Sequence, residues 1–201
     1  MIAYLGMPRC ASSWLYDQLG GTEPKETHYL YTTPIDLKSY CKSRIFDFST
    51  NNWSVDSDVA RSIDPWISHY ILIIRNPIDL AVSYKTLLDN NQSLNEFIST
   101  MIVNKLLCYG DIIERWYGLV DPKKILIYNY DSLSADNQGF ISSITKHLDI
   151  PQPNFISLAK TNSSMHKEYD SISQENLMIL QQQLDKFDEI TKTGFDFTIN
   201  T

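Results

Sequence analysis

Tyr70-Ile71-Leu72-Ile73-Ile74-Arg75-Asn76-Pro77-Ile78-Asp79 is the stretch on which the architecture turns. Its first five residues are apolar without alternation, as in a strand buried on both faces at the centre of a parallel sheet. Asn76 then caps a helix, with Pro77 at its first position and Asp79 in its first turn. A central strand therefore feeds directly into a helix, and Arg75 stands at the junction.

The same alternation extends outward in both directions. Ile2 to Leu5 reads as a second buried strand, leading into Gly6-Met7-Pro8-Arg9 and a short helix that Ser12 or Ser13 would cap and Gly20-Gly21 would end. Arg44 to Phe48 is a weaker strand and Ile125 to Tyr130 a stronger one. Ser93 and Glu96 form a capping-box pattern ahead of a long helix running towards Trp116. Phe140 to Leu148 reads as a helix, and Leu177, Leu180, Leu184 and Phe187 mark another by their spacing. Strands separated by helices predict an α/β fold, three-layered α/β/α with a central parallel sheet, and ligands at the carboxyl ends of the strands.

The whole of residues 1–201 reads as one domain, with no repeat, low-complexity tract or flexible linker. Its 17 Lys+Arg against 24 Asp+Glu give a net charge of −7, which argues against a general nucleic-acid binder. Three cysteines, Cys10, Cys41 and Cys108, without CxxC pairing point away from a disulfide framework and towards the cytoplasm. The four histidines lie far apart in sequence and form no zinc signature. The N-terminus lacks a signal-peptide pattern, and the longest apolar run is too short to cross a bilayer, so no membrane association is expected. His69 and His147 flank apolar elements and read as structural.

Two loops carry the chemistry. Pro8-Arg9-Cys10-Ala11-Ser12-Ser13-Trp14 joins a strand to a helix, where backbone N–H groups, a guanidinium and two hydroxyls could cradle a phosphate or sulfate. A capped helix with a surface arginine accounts for that loop alone equally well. It is not a Walker A loop, because Ala11 and Ser12 stand where a Gly-Lys pair would be required. In the second, Ser83 lies seven residues after Asn76, on the same helical face, so Arg75 and Ser83 could clamp a second phosphate. An Arg75 that salt-bridges to Asp79 or a neighbouring carboxylate is the plain alternative.

Together the two segments resemble the paired signatures of sulfotransferases that use 3′-phosphoadenosine-5′-phosphosulfate (PAPS). In that family the first loop resembles PKSGTTWL, matched here by Pro8 to Leu15, and binds the 5′-phosphosulfate. The second resembles RNPxDxxxSxY, matched by Arg75, Asn76, Pro77, Asp79 and Ser83, and its Arg and Ser bind the 3′-phosphate. Lys25-Glu26-Thr27-His28-Tyr29 resembles the segment of glycosaminoglycan-type sulfotransferases in which Glu is the catalytic base. Asp47-Phe48-Ser49-Thr50 resembles the segment preceding the second motif but lacks its usual Lys and Pro. Trp116 with Ile125 to Leu133 resembles a further stretch, with Asp131 in place of Glu.

The resemblance implies a P-loop-like sulfotransferase fold that moves a sulfuryl group from PAPS to an acceptor hydroxyl or amine and releases PAP, with no metal. It implies Glu26 as base with His28 behind it, and Arg9, helped by Lys25, stabilising the leaving phosphate. Residues 8–14, Arg75 and Ser83 would hold the nucleotide. Lys160, Asn162, Ser163 and Lys167 fall in a polar stretch that could close over it. Arg9 stands where the family has Lys, changing reach and fork geometry. Ala11 stands where it has Gly, which points to a stiffer loop or one whose backbone avoids positive φ. A P-loop kinase or NTPase-like phosphotransferase, and a non-catalytic PAP- or nucleotide-binding module, are the competing readings. The acceptor and the oligomeric state are not written in the sequence.

Overall fold

The computed structural model describes residues 1–28, 30, 36–153 and 171–194. Lys160, Asn162, Ser163 and Lys167 lie outside the described residues. The elements in chain order are β1 (Ile2–Tyr4), α1 (Ser12–Gln18), α2 (Leu37–Ser43), β2 (Phe46–Asp47), α3 (Ser57–Ile63), β3 (His69–Ile74), α4 (Pro77–Leu87), α5 (Leu94–Val103), α6 (Tyr109–Tyr117), β4 (Ile125–Asn129), α7 (Tyr130–Ala135), α8 (Asn137–Leu148) and α9 (Gln174–Thr191). The chain divides into two compact units: Met1–Ile74 with Leu119–Ala159, and Arg75–Gly118 with Lys160–Thr201.

The first unit holds a parallel four-stranded sheet in the order β2-β1-β3-β4, and helices flank it. This is the α/β architecture expected. Tyr70 to Ile74 are all essentially buried, which is why their sequence shows no alternation. Ile2 pairs with Phe46 on one side of β1 and with His69 on the other, and Leu5 N–H donates to the Ile71 carbonyl at 2.7 Å. The chain steps from β1 outward to β2, then crosses back to β3. That reversal is a topological switch point, where open parallel sheets bind ligands at their carboxyl ends. The loop after β1 opens there, and β2, the neighbouring edge strand, carries its own loop on the same edge of the sheet.

An aromatic core lies beneath those loops. Tyr4 stacks on Phe48, with ring centroids 5.3 Å apart and planes 17° apart, and Tyr16 and Phe46 close around Phe48 at 5.6 and 6.0 Å. Trp14 of α1 meets Phe140 of α8 at 6.5 Å. Each such pair adds about 1 kcal/mol beyond its buried area.

In the second unit Asn76 caps α4 as expected, its Oδ1 accepting from the N–H groups of Ile78 (3.0 Å) and Asp79 (3.4 Å). Ser93 and Glu96 form the predicted capping box on α5. The single helix expected from there to Trp116 is two. Lys105 takes a left-handed conformation (φ 63°), and the chain turns before α6 begins at Tyr109. Asp111 on α6 then accepts from Lys186 (2.9 Å) and Lys105 (3.1 Å), and Gln183 adds a bond at 3.2 Å, joining α6 to α9. Burial alone would raise the Asp111 pKa. The hydrogen bonds from Lys186, Lys105 and Gln183, with the Lys186 charge, outweigh it and hold the carboxyl at about 2.

Candidate functional site

The loop after β1 is shaped from below. The buried Tyr4 hydroxyl donates to the Cys10 carbonyl at 2.8 Å. The Tyr4 ring passes so close to Gly6 that a Cβ there would lie 2.3 Å from the hydroxyl oxygen, so only glycine fits. Above this support, Arg9 (φ 69°) and Ala11 (φ 58°) both adopt left-handed backbone. Two left-handed residues within three positions are the device that gathers backbone N–H groups into an anion-binding concavity.

Two expectations about this loop are corrected. Neither Ser12 nor Ser13 caps α1. They are its first two residues, the N-cap is Ala11, and no side chain caps the helix. Nor does alanine keep position 11 out of positive φ, because the turn into α1 demands it and costs about 1–2 kcal/mol for a residue with a Cβ. Arg9 and Ser13 are exposed, Pro8, Ala11 and Trp14 partly so, and Ser12 and Cys10 buried. Cys10 is wholly enclosed, and its carbonyl is taken by the Tyr4 hydroxyl.

The loop after β2 meets the Lys25–His28 segment. Phe48 N–H donates to the Lys25 carbonyl at 3.1 Å, and the Ser49 hydroxyl accepts from the N–H groups of Thr27 (3.1 Å) and His28 (3.0 Å). His28 is left-handed (φ 52°), so the segment bends there. The bend still brings the two candidate bases together, with His28 Nε2 3.6 Å from Glu26 Oε2. Lys25 Nζ pairs with Glu26 Oε1. His28 Nδ1 lies 2.8 Å from Asn51 Oδ1.

Behind this segment stands Asp47, wholly buried. Its carboxylate accepts from the Tyr40 hydroxyl (2.7 Å), Ser49 N–H (3.0 Å) and Asn52 Nδ2 (3.2 Å). Tyr40 lies 2.5 Å from the Thr27 hydroxyl. A carboxylate can only accept, so the chain of donors runs Thr27 to Tyr40 to Asp47. Burial, and then the Asp47 charge, push the Tyr40 phenol far above its ordinary range, so it keeps its proton.

In the second unit, Arg75 directly follows β3 and is half-buried, and Tyr109 on α6 donates to its carbonyl at 3.0 Å. Ser83 lies half-buried in α4, two turns beyond Asn76. Among the described residues no group of three or more His, Cys, Asp and Glu is placed to hold a metal ion, and no helix is long and apolar enough to cross a membrane.

Sequence reasoning missed Tyr4, Tyr40, Asn51 and the anchoring role of Asp47. Tyr4 carried one local signal, a glycine two positions on. The others make contacts across 7–23 residues of chain, which no local pattern records.

The family model described as "Sulfotransferase domain" matches residues 67–193. No curated protein sequence matches. Among solved structures, a sulfotransferase from Alicyclobacillus acidocaldarius superposes with a TM-score of 0.71 at 12% identity, covering 96% of each chain. Mouse sulfotransferase SULT7A1, complexed with PAP, gives 0.58 at 15% identity over 96% of this chain and 85% of its own. The sulfotransferase domain from the curacin biosynthetic pathway gives 0.51 at 15% identity over 99% and 93%.

Proposed function

Because this chain belongs to the sulfotransferase domain family, we propose that the residues gathered around its two loops divide the work of sulfuryl transfer among them. The chain is a PAPS-dependent sulfotransferase, moving a sulfuryl group to an acceptor and releasing PAP. The reading of the site is that residues 8–14 hold the phosphosulfate and that Arg75 and Ser83 hold the 3′-phosphate. The observation that carries it is the loop after β1, whose left-handed residues Arg9 and Ala11 make the backbone concavity a phosphosulfate needs.

The transfer is an in-line displacement. The acceptor oxygen or nitrogen bonds to sulfur while the bond from sulfur to the phosphate oxygen of PAP breaks. Positioning and charge stabilisation supply most of the catalysis in such reactions. Arg9 and Lys25 stabilise the charge that gathers on the leaving phosphate. Glu26 takes the acceptor's proton, a step worth about 10²–10⁴-fold when the base is well placed. The Lys25-Glu26-Thr27-His28 segment is what aligns this site with the glycosaminoglycan-type branch.

Residues 1–201 act as a single catalytic domain, in the cytoplasm. Three free, buried thiols support that location. Its net charge of −7 favours a small or locally docked acceptor over a long polyanion.

Calorimetric titration with PAP, without metal, tests the nucleotide site. Arg75→Ala should weaken binding by about 2 kcal/mol, the size of a lost charged hydrogen bond. Absence of PAP binding, with magnesium-dependent ATP binding in its place, would replace this reading with a phosphotransferase. Glu26→Gln that binds PAP and turns over undiminished would remove Glu26 from the mechanism.

A further inference from the structure

We propose that Asn51 is a positioning residue that fixes the tautomer of His28, so that Nε2 faces Glu26 as the exit for the acceptor's proton. The inference rests on the reading of Glu26 as base. An amide oxygen can only accept, so the 2.8 Å contact between Asn51 Oδ1 and His28 Nδ1 requires the proton on Nδ1. Neutral His28 then has its lone pair on Nε2, the nitrogen 3.6 Å from Glu26 Oε2.

The rest of the segment holds that geometry. Ser49 Oγ accepts from the successive N–H groups of Thr27 and His28, and Asp47 in turn fixes Ser49 and Tyr40. Lys25 occupies the other oxygen of Glu26, leaving Oε2 for the exchange. Among the described residues, the charged and titratable groups around the segment include Glu26 and Lys25 in front, with Asp47 and Tyr40 behind the backbone. The His28 side chain is 44% exposed, so its far side reaches water.

The proton balance follows. As the acceptor oxygen bonds to sulfur and the bond to the phosphate of PAP breaks, the hydroxyl proton lands on Glu26. It passes from Oε2 to the unprotonated Nε2 of His28, either through one bridging water or as the 3.6 Å gap closes to hydrogen-bond distance, and from there to solvent. Glu26 is left ionised for the next turnover.

The test uses the whole chain with ¹⁵N-labelled histidine rings, saturated with PAP, His28 being assigned by comparison with His28→Gln. Ring nitrogen shifts should show Nδ1 protonated in the wild type, and a proton redistributed to Nε2 in Asn51→Leu. PAPS breakdown with water as acceptor should fall about tenfold in Asn51→Leu, part of the general-base contribution, with PAP affinity unchanged. Asn51→Asp, which still offers an oxygen to Nδ1–H, should restore both the tautomer and the rate. A wild-type His28 protonated on Nε2 alone would overturn the proposal, as would an Asn51→Leu ring or rate that does not move. If Glu26→Gln leaves the rate unchanged while the ring responds to Asn51→Leu, the base assignment has failed and the tautomer lock stands.

Discussion

The hydroxyl of Tyr4 donates to the carbonyl of Cys10 at 2.8 Å, so the last residue of β1 bears the weight of the loop that follows it. A strand residue would ordinarily be read as packing alone. Here the same side chain sets the height of the loop after β1 above the sheet.

Tyr4→Phe keeps the ring and its stack on Phe48 but leaves the Cys10 carbonyl without this donor. The expected cost is about 1 kcal/mol of stability, with weaker PAP binding. Chemical denaturation and calorimetry on the variant check the two effects.

Gly6→Ala places a methyl group within 2.3 Å of the Tyr4 hydroxyl and 2.4 Å of its ring. The ring is wedged against Phe48 and cannot swing clear, so overpacking should cost about 1–3 kcal/mol. A thermal melt unchanged from wild type would contradict this account of the loop.

Ala11→Gly relieves a left-handed alanine. Removing the Cβ penalty outweighs the added freedom of the unfolded chain by about 0.5 kcal/mol. The variant should therefore melt at or above the wild-type temperature and bind PAP no less tightly.

Asp111→Asn tests the cluster between α6 and α9. The folded carboxyl titrates at about 2, below its ordinary value of 3.8. A depressed folded pKa contributes stability above the unfolded value that disappears as pH falls through the folded one. The variant should melt below the wild type at pH 7, and the gap should close between roughly pH 4 and 2.

Much of the fold was legible because it is written locally. The unbroken apolar run of β3, the Asn76-Pro77 start of α4 and the Ser93/Glu96 box each occupy a few neighbouring positions, and each is where it was expected. The break between α5 and α6 was not, because Lys105 adopts its left-handed turn without a glycine or proline to announce it. Ala11 misled for the matching reason, since a residue that disfavours positive φ holds it under the demand of the turn. In the site, the Lys25–His28 segment stood out by resemblance. Its anchors Tyr40, Asp47 and Asn51 act only once α2 and β2 fold against it.

The Phe48 ring lies between the supports of both loops, stacked on Tyr4 and one residue before Ser49. Tyr4 beneath it supports residues 6–11, and its own N–H secures Lys25. Changes on one loop are therefore felt by the other through a single ring stack. Substitutions at Gly6 and at Lys25 should be inherited together or compensated together, and replacing Phe48 would remove the floor on which both loops rest.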